Sequence, residues 1–388
     1  MSSLSTADVI VVGAGIAGAS CAFHLAGMGV RTTLIERRHP AAGPTGKSSA
    51  ICHAFYLMPE LSQLGRRGIE ILRDIPALTG GPPCFHQVGM LWVVGEDAAP
   101  DWSAAVERIR GEGAEIENLP PDAVRRLAPR FNHDGVALGV WEPTCGYADP
   151  YDAANALAQG ARARGARLLL NTEVSQIHVS GGRAAGVETQ DGQRIAADAV
   201  VVAAGVWTKP LLGKLSVDLP IHVERHPMAV LDAPQRARDV LPFAWCDDIL
   251  CNYARPEGES AILVGTWAGG GTGLRHATIE RPAHVGDPDV YDETVDAAES
   301  AEILQFITPR VPEMETLGVR KGYAGLYDMS PDDNPIIDRV PGIEGAFVIC
   351  GSSGHGFKLG PAVGEEVARW VTAGRSDLLA PFALGRFG

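Results

Sequence analysis

Gly13, Gly15 and Gly18 stand in "VVGAGIAGAS", directly after an apolar run. A glycine inside a helix or strand costs roughly 0.5–1 kcal/mol relative to alanine, so something else must require bare backbone there. G-x-G-x-x-G at a strand-to-helix turn suits a pyrophosphate. Gly13 makes the sharp turn, Gly15 lets phosphate oxygens approach the main chain, and Gly18 lets helix and strand pack closely. The helix N-terminus, with Ile16 and Ala17 in its first turn, offers free N–H groups and a positive dipole. Glu36 follows the next strand, about where such folds bond a ribose hydroxyl. At the far end, "GSSGHGFKLGPAVGE" at 351–365 forms a second glycine turn before a helix. A cation in a helix's first turn is unfavourable, so Lys358 is expected to serve an anion.

These residues need elements to hold them. Residues 8–12 read as a buried β-branched strand, 16–26 as a helix ended by Gly27 and Gly29, and 32–35 as a second strand. After Arg38 the strand–helix alternation breaks in "HPAAGPTGKSSAICHAFY". Helices are predicted over 61–72, 152–165 and 296–307. Gly181-Gly182 and Asp191-Gly192 signal hairpins within a meander. The region 217–270 holds several strands joined by short turns, which implies an antiparallel sheet, and 269–273 reads as a flexible loop. The C-terminal helix is expected to carry Pro361 in its first turn and Gly374 beyond its end. With a strand–glycine–helix unit at each end of the chain, both ends meet at one ligand if they share a doubly wound sheet. The expected fold class is α/β (α+β). A Rossmann-like domain would comprise 1–83, 146–215 and 320–388. A second, mainly antiparallel β-sheet substrate domain would comprise 84–145 and 216–319.

Composition narrows the class. A net charge of −14 and a pI near 5.2 argue against nucleic-acid or anionic-membrane partners. No apolar run approaches the roughly 20 residues of a membrane span, and "MSSLSTAD" lacks the features of a signal peptide. A cytoplasmic location is expected. Seven cysteines without a CxxC pair read as reduced thiols. Eleven histidines without an HExxH or HxH pattern lead us to expect no metal.

The whole arrangement resembles the D-amino-acid oxidase superfamily of FAD enzymes, in its branch of sarcosine oxidases and dimethylglycine dehydrogenase. The likeness spans nearly the whole chain. It rests on the first glycine motif with Glu36, "TGKSSAI" at 45–51, "EPTCGYADP" at 142–150 and "VVVAAGVWT" at 200–208. The most specific marks are "GYAGLYDMSPDDNPIID" at 322–338 and the second glycine motif. It implies FAD, held by Gly13, Gly15, Ile16, Ala17, Gly18, Glu36 and Arg37 at its ADP half. Lys47, Ser48, Ser49 and Ala50 would lie near the pyrophosphate and flavin, Val174 at adenine, and Ala204, Gly205 and Trp207 along the pyrophosphate channel. Gly354, His355, Gly356, Phe357 and Lys358 would run along the flavin edge, where helix dipole and ammonium stabilise the reduced ring. Lys358, His355, Tyr253 and Tyr327 are the implied catalytic residues. Cys52, His53, Trp267 and Lys358 are the implied substrate contacts, with Lys358 on a carboxylate.

The implied reaction oxidises a C–N bond of a secondary or tertiary amino acid, or a related small amine. The imine formed hydrolyses to an amine plus an aldehyde or keto acid. Oxygen, giving hydrogen peroxide, or an electron carrier would reoxidise the cofactor. Deamination of a primary amino acid, as in glycine or D-amino-acid oxidases, is an alternative. So are a specialised biosynthetic C–N oxidation and a non-catalytic FAD-binding subunit of a complex. A homo-oligomer is compatible with each.

Three positions depart from the family pattern. Cys52 replaces an arginine that commonly pairs with the substrate carboxylate, so either Lys358 acts alone, or Arg225 or Arg320 compensates, or the substrate is not a simple N-methylated amino acid. Cys52 itself reads as a small buried hydrophobe or as a reactive thiol. Gly325 replaces the cysteine that carries a covalent flavin, so non-covalent FAD is expected. The strand "AILVGTW" lacks the lysine that promotes reaction with oxygen. Tyr253, Trp267 and Tyr327 could cage an amine or merely pack a sheet, and His226 reads as structural.

Overall fold

The computed structural model describes residues 5–267 and 284–388; the expected loop at 269–273 lies outside them. Val9, Ile10, Val11 and Val12 are all buried, as a strand covered on both faces requires. Their strand, Ser5–Val12, pairs in parallel with Thr32–Ile35 on one side and Arg194–Val202 on the other. Arg167–Leu169 extends the sheet beyond Thr32–Ile35. The long strand Arg194–Val202 serves two neighbours. Its start pairs antiparallel with Arg183–Thr189, which turns at Gly181-Gly182 into Val174–Ser180. Its end pairs in parallel with Ala346–Cys350, which in turn carries Ile336–Arg339. The first and last parallel strands are thus one strand apart. Both glycine turns leave the same end of one sheet.

Helix Ile16–Gly27 packs against the C-terminal helix Gly356–Ala373 and against Pro150–Ala163. Glycine makes the first contact close. A Cβ at Gly364 would lie 2.5 Å from Cys21 N, and one at Gly360 would lie 2.6 Å from Ile16 Cγ2. Helix Pro59–Arg73 meets the C-terminal helix in the same way, since a Cβ at Gly68 would stand 2.0 Å from the Lys358 carbonyl oxygen. Gly68→Ala is therefore expected to push the two helices apart and to lower stability by about 1–3 kcal/mol. Urea denaturation followed by circular dichroism checks it; an unchanged midpoint would contradict the close approach. Pro361 is not in the first turn of its helix but inside it, and its carbonyl accepts a hydrogen bond from Ser20 Oγ at 2.6 Å. Gly374 caps the helix in the left-handed region.

The second sheet runs Val319–Met329, His222–Asp232, Ala261–Thr266, Asn252–Glu257, Ala244–Asp247, Met90–Val94, Leu138–Glu142, Glu117–Leu119. All its pairs are antiparallel except Ala244–Asp247 with Met90–Val94. Alternation along its strands separates two faces. Met90, Trp92, Val140, Cys246, Tyr253 and Leu263 pack into the core shared with the helices above. Leu91, Val93, Trp245, Ala254 and Val264 build a second core under helix Ala297–Ile307.

Val319–Met329 departs from the expected division, which placed 320–388 wholly with the first domain. It pairs with His222–Asp232 from His222↔Met329 to Leu231↔Val319, so it belongs to the second sheet. Its end ties the two sheets together. The buried Asp328 carboxylate accepts hydrogen bonds from Gly351 N at 2.7 Å and Ser352 N at 3.2 Å. Trp267 lies just past the end of its strand rather than on it. A small third sheet is made of Ile51–Cys52, Gly146–Ala148 and Phe85–Gln87, with Gly146–Ala148 in the middle.

Candidate active site

A cleft of about 890 Å³ runs along the carboxyl ends of the first sheet. Gly13, Gly15, Ile16, Ala17, Glu36, Arg37, Ser48, Val174, Ala204, Gly205, Trp207, Gly354, Gly356, Phe357 and Tyr327 all line it. The three glycines have different causes. Gly13 has φ +99°, and a Cβ there would stand 2.4 Å from Ala203 O. A Cβ at Gly18 would stand 2.0 Å from Gly13 O, so Gly18 serves packing and does not line the cleft. A Cβ at Gly15 would meet only Thr45 Oγ1, at 3.1 Å, so Gly15 leaves open space in front of the helix N-terminus. This cradle fits a pyrophosphate.

Glu36 braces the turn as well as facing the cleft. Its oxygens accept from Ala14 N at 2.9 Å and Arg38 N at 2.8 Å. Arg37 pairs with Asp289 at 2.6 Å and lies 4.0 Å over the Trp207 ring, so it builds the wall. Besides Gly18 and Lys358, four of the expected cofactor contacts stand back from the cleft. Lys47 donates to Tyr291 Oη at 2.5 Å and pairs with Glu293 at 2.6 Å. The Ser49 carbonyl accepts from Arg255 Nε, and Ala50 is buried. His355 is outside the cleft lining; its Nδ1 lies 3.2 Å from Tyr56 Oη.

Lys358 points to the second sheet. It is buried, and its charge acts on Cys52, Cys246, Glu142, His53 and His355. Aromatic rings close this region. His53 lies 4.9 Å from Trp92 and 4.8 Å from Tyr56, Trp92 lies 6.4 Å from Trp267, and Trp267 stacks on Tyr253 at 6.0 Å. Tyr327 instead stacks on His226 at 3.8 Å, whose Nε2 meets Glu224 at 3.2 Å.

Three buried cations occur among the described residues: Arg255, Arg310 and Lys358. Arg255 pairs with Glu257 at 2.7 Å and Arg310 with Asp247 at 2.6 Å. Lys358 has no carboxylate within ion-pair distance among the described residues. Burial holds its ammonium down at about 8. Neither arginine suggested as a substitute for the missing one is free: Arg225 pairs with Glu299 at 2.6 Å, and Arg320 pairs with Asp232 at 2.5 Å. Cys52 is fully buried and its Sγ donates to Ala50 O at 3.3 Å. Burial pushes that thiol up to about 12, so it is a packed apolar group.

Sequence reasoning missed Glu142, Trp92 and Tyr56. Glu142 stood inside a quoted motif without a role. Its Oε1 accepts from Ala54 N at 2.8 Å, while Oε2 is buried without a partner among the described residues, as are Trp92 Nε1 and Tyr253 Oη. Buried polar atoms are seldom left so unless water or a ligand meets them. Burial pushes the Glu142 carboxyl up to about 7. A carboxyl raised this way favours the folded state below its ordinary value near 4.5, and that contribution is lost as pH rises through about 7. Glu142→Gln is therefore expected to match the parent's Tm near pH 4.5 and to exceed it above pH 7. Thermal melts across that range decide it; parallel curves would contradict the assignment.

The sequence model of the FAD dependent oxidoreductase (DAO) family matches residues 8–370. The chain belongs to this family. Among DAO-family relatives, human mitochondrial sarcosine dehydrogenase is 27% identical over 96% of this chain, which spans only 40% of that protein. Monomeric sarcosine oxidase of Bacillus sp. (strain NS-129) is 28% identical, covering 98% of this chain and 96% of the oxidase. The solved structure of L-proline dehydrogenase from P. horikoshii superposes with a TM-score of 0.87 at 25% identity, covering 99% and 98% of the two chains. This chain's two-sheet α/β fold is the one that this family likeness implies. Among the described residues no helix is long and apolar enough to cross a membrane.

Proposed function

We propose that the protein oxidises the C–N bond of a small N-substituted amino acid and releases an imine that water hydrolyses to an amine and a carbonyl compound. One observation carries this reading: Lys358 is a buried ammonium with no carboxylate at ion-pair distance among the described residues, at the junction of the glycine turn and an aromatic pocket. A substrate carboxylate supplies the missing charge. The names of the sarcosine and proline relatives point the same way. We further propose that 1–83, 146–215 and most of the C-terminal part hold the cofactor, and that the second sheet covers the substrate.

Gly15, Glu36, Val174, Ala204, Gly205, Gly354 and Phe357 would hold FAD non-covalently, since Gly325 offers no side chain for a link. Bound FAD supplies the two-electron oxidation of the substrate carbon, and O2 or a carrier then accepts the electrons. The chain's own residues orient and desolvate. Lys358 Nζ fixes the carboxylate. Trp92, Trp267 and Tyr253 exclude water from the amine end. His355 is held down at about 3 by burial and the Lys358 charge, and His53 well below its usual value. Both are neutral at pH 7 and too weak as bases to take the amine's proton. The substrate therefore enters as the free amine.

Anaerobic titration of the yellow protein with N-methylglycine, L-proline, glycine and D-alanine tests the proposal. Bleaching near ~450 nm by the first two, and not by the last two, is the expected result. Bleaching by glycine or D-alanine alone points to deamination of primary amines. Cofactor that no amine bleaches points to a non-catalytic subunit. Readmitting air and then a redox dye identifies the acceptor.

A further inference from the structure

His222, Glu224 and His284 converge at the rim of the cofactor cleft, outside the pocket around Lys358. One ligand-capable atom from each lies within 4.8 Å of the other two. His222 Nε2 is 2.8 Å from Glu224 Oε1, and the His222 and His284 rings stack with centroids 4.4 Å apart. The main chain fixes the third member. Glu224 and His284 form an antiparallel bridge, and Val285 N donates to Val223 O at 2.8 Å.

Glu224 is 2% exposed. Among the described residues no Lys or Arg forms an ion pair with it; only imidazoles meet it, His222 at one oxygen and His226 Nε2 at the other, at 3.2 Å. A buried carboxylate without a fixed cation is unfavourable, and a metal ion supplies that cation. We propose that His222, Glu224 and His284 bind one late first-row divalent ion of the Zn2+ class. Two imidazoles and one carboxylate select this class over Mg2+ and Ca2+, which take oxygen ligands. Metal–ligand bonds of about 2.0–2.2 Å set tetrahedral ligands roughly 3.3 Å apart, which small side-chain rotations reach from the present spacing. His226 then acts as the outer hydrogen-bond partner that orients the carboxylate. His222 and His284 also line the cleft, so the remaining coordination position opens toward it.

The consequence is mechanical. His284 begins a segment that crosses the cleft wall. Asp289 on that segment pairs with Arg37 and accepts from Trp207 Nε1 at 3.1 Å, and Tyr291 accepts from Lys47. The ion would clip this strap to the strand His222–Asp232 and slow the escape of FAD. Sequence reading expected no metal because HExxH and HxH are absent. His222-x-Glu224 on a strand nevertheless puts both side chains on one face, and the third ligand comes from a distant segment.

The test uses tag-free holoprotein freed of metal with a chelator. Titration with Co2+ is expected to give visible d–d bands that saturate at one equivalent, and Zn2+ is expected to displace them. His284→Ala, a change at an exposed side chain, is expected to weaken binding at least tenfold, and Glu224→Gln to do the same. Zn2+ is expected to slow FAD release from the parent and to leave release from His284→Ala unchanged. No stoichiometric band in the parent, or a band that survives His284→Ala, overturns the site. An FAD release rate indifferent to Zn2+ in the parent overturns the clip.

Discussion

Lys358→Met is expected to lower kcat/KM for N-methylglycine or L-proline roughly 10- to 150-fold while the protein stays yellow, because a charge-assisted hydrogen bond contributes about 1.5–3 kcal/mol. Steady-state kinetics with a carboxylate-free secondary amine is the control. The variant should handle that amine nearly as the parent does, and an equal loss on both substrates would remove Lys358 from carboxylate binding. The pH dependence has a definite sign. In the free protein the ammonium titrates at about 8 rather than 10.5. Carboxylate binding needs the charged form, so kcat/KM should fall as pH rises through about 8, after first rising with the substrate's free-amine fraction. The variant should lack the falling limb. Stability moves the other way. A lysine whose folded pKa is depressed opposes folding fully below about 8 and progressively less toward 10.5. Lys358→Met should therefore raise the Tm of the protein by a few degrees at pH 7 and by less at pH 10. Activity lost while stability is gained is what a strained binding group shows, and a merely structural lysine would lose both.

Gly13→Val is expected to abolish the yellow holoprotein. The residue sits at φ +99°, where a β-branched side chain is strained, and its Cβ would stand 2.4 Å from Ala203 O. That oxygen belongs to the backbone leaving the adjacent parallel strand, so relief would require separating two paired strands. Strain and overpacking together exceed about 3 kcal/mol, enough to unfold many proteins outright. Loss of fold alone would not implicate the cofactor, so Gly15→Val is the partner experiment. Its Cβ meets only the Thr45 hydroxyl, and its extra methyls would project into the cleft. The expected product is soluble, has native circular dichroism, and lacks the flavin band. A Gly15→Val protein that retains FAD stoichiometrically would show that the pyrophosphate does not rest on this turn.

The sequence by itself determined the ends of this protein. A β-branched run, three glycines at fixed spacing and an acid after the next strand constrain one another locally, because each turn, cap and dipole acts within a few residues. For that reason the first strand, its helix, the two hairpins, the capped helix at Asp296 and the second glycine turn were all legible. Only the tertiary structure decided the rest. That Val319–Met329 joins the second sheet follows from long-range pairing with His222–Asp232, which no local signal encodes. That Lys47 turns to Tyr291 and Glu293, and Lys358 to no carboxylate among the described residues, depends on which distant acids the fold brings near. Glu142 and Trp92 looked like ordinary strand residues. Their orphaned polar atoms exist only because two sheets close over them, and burial is a property of the assembled chain rather than of any stretch of it.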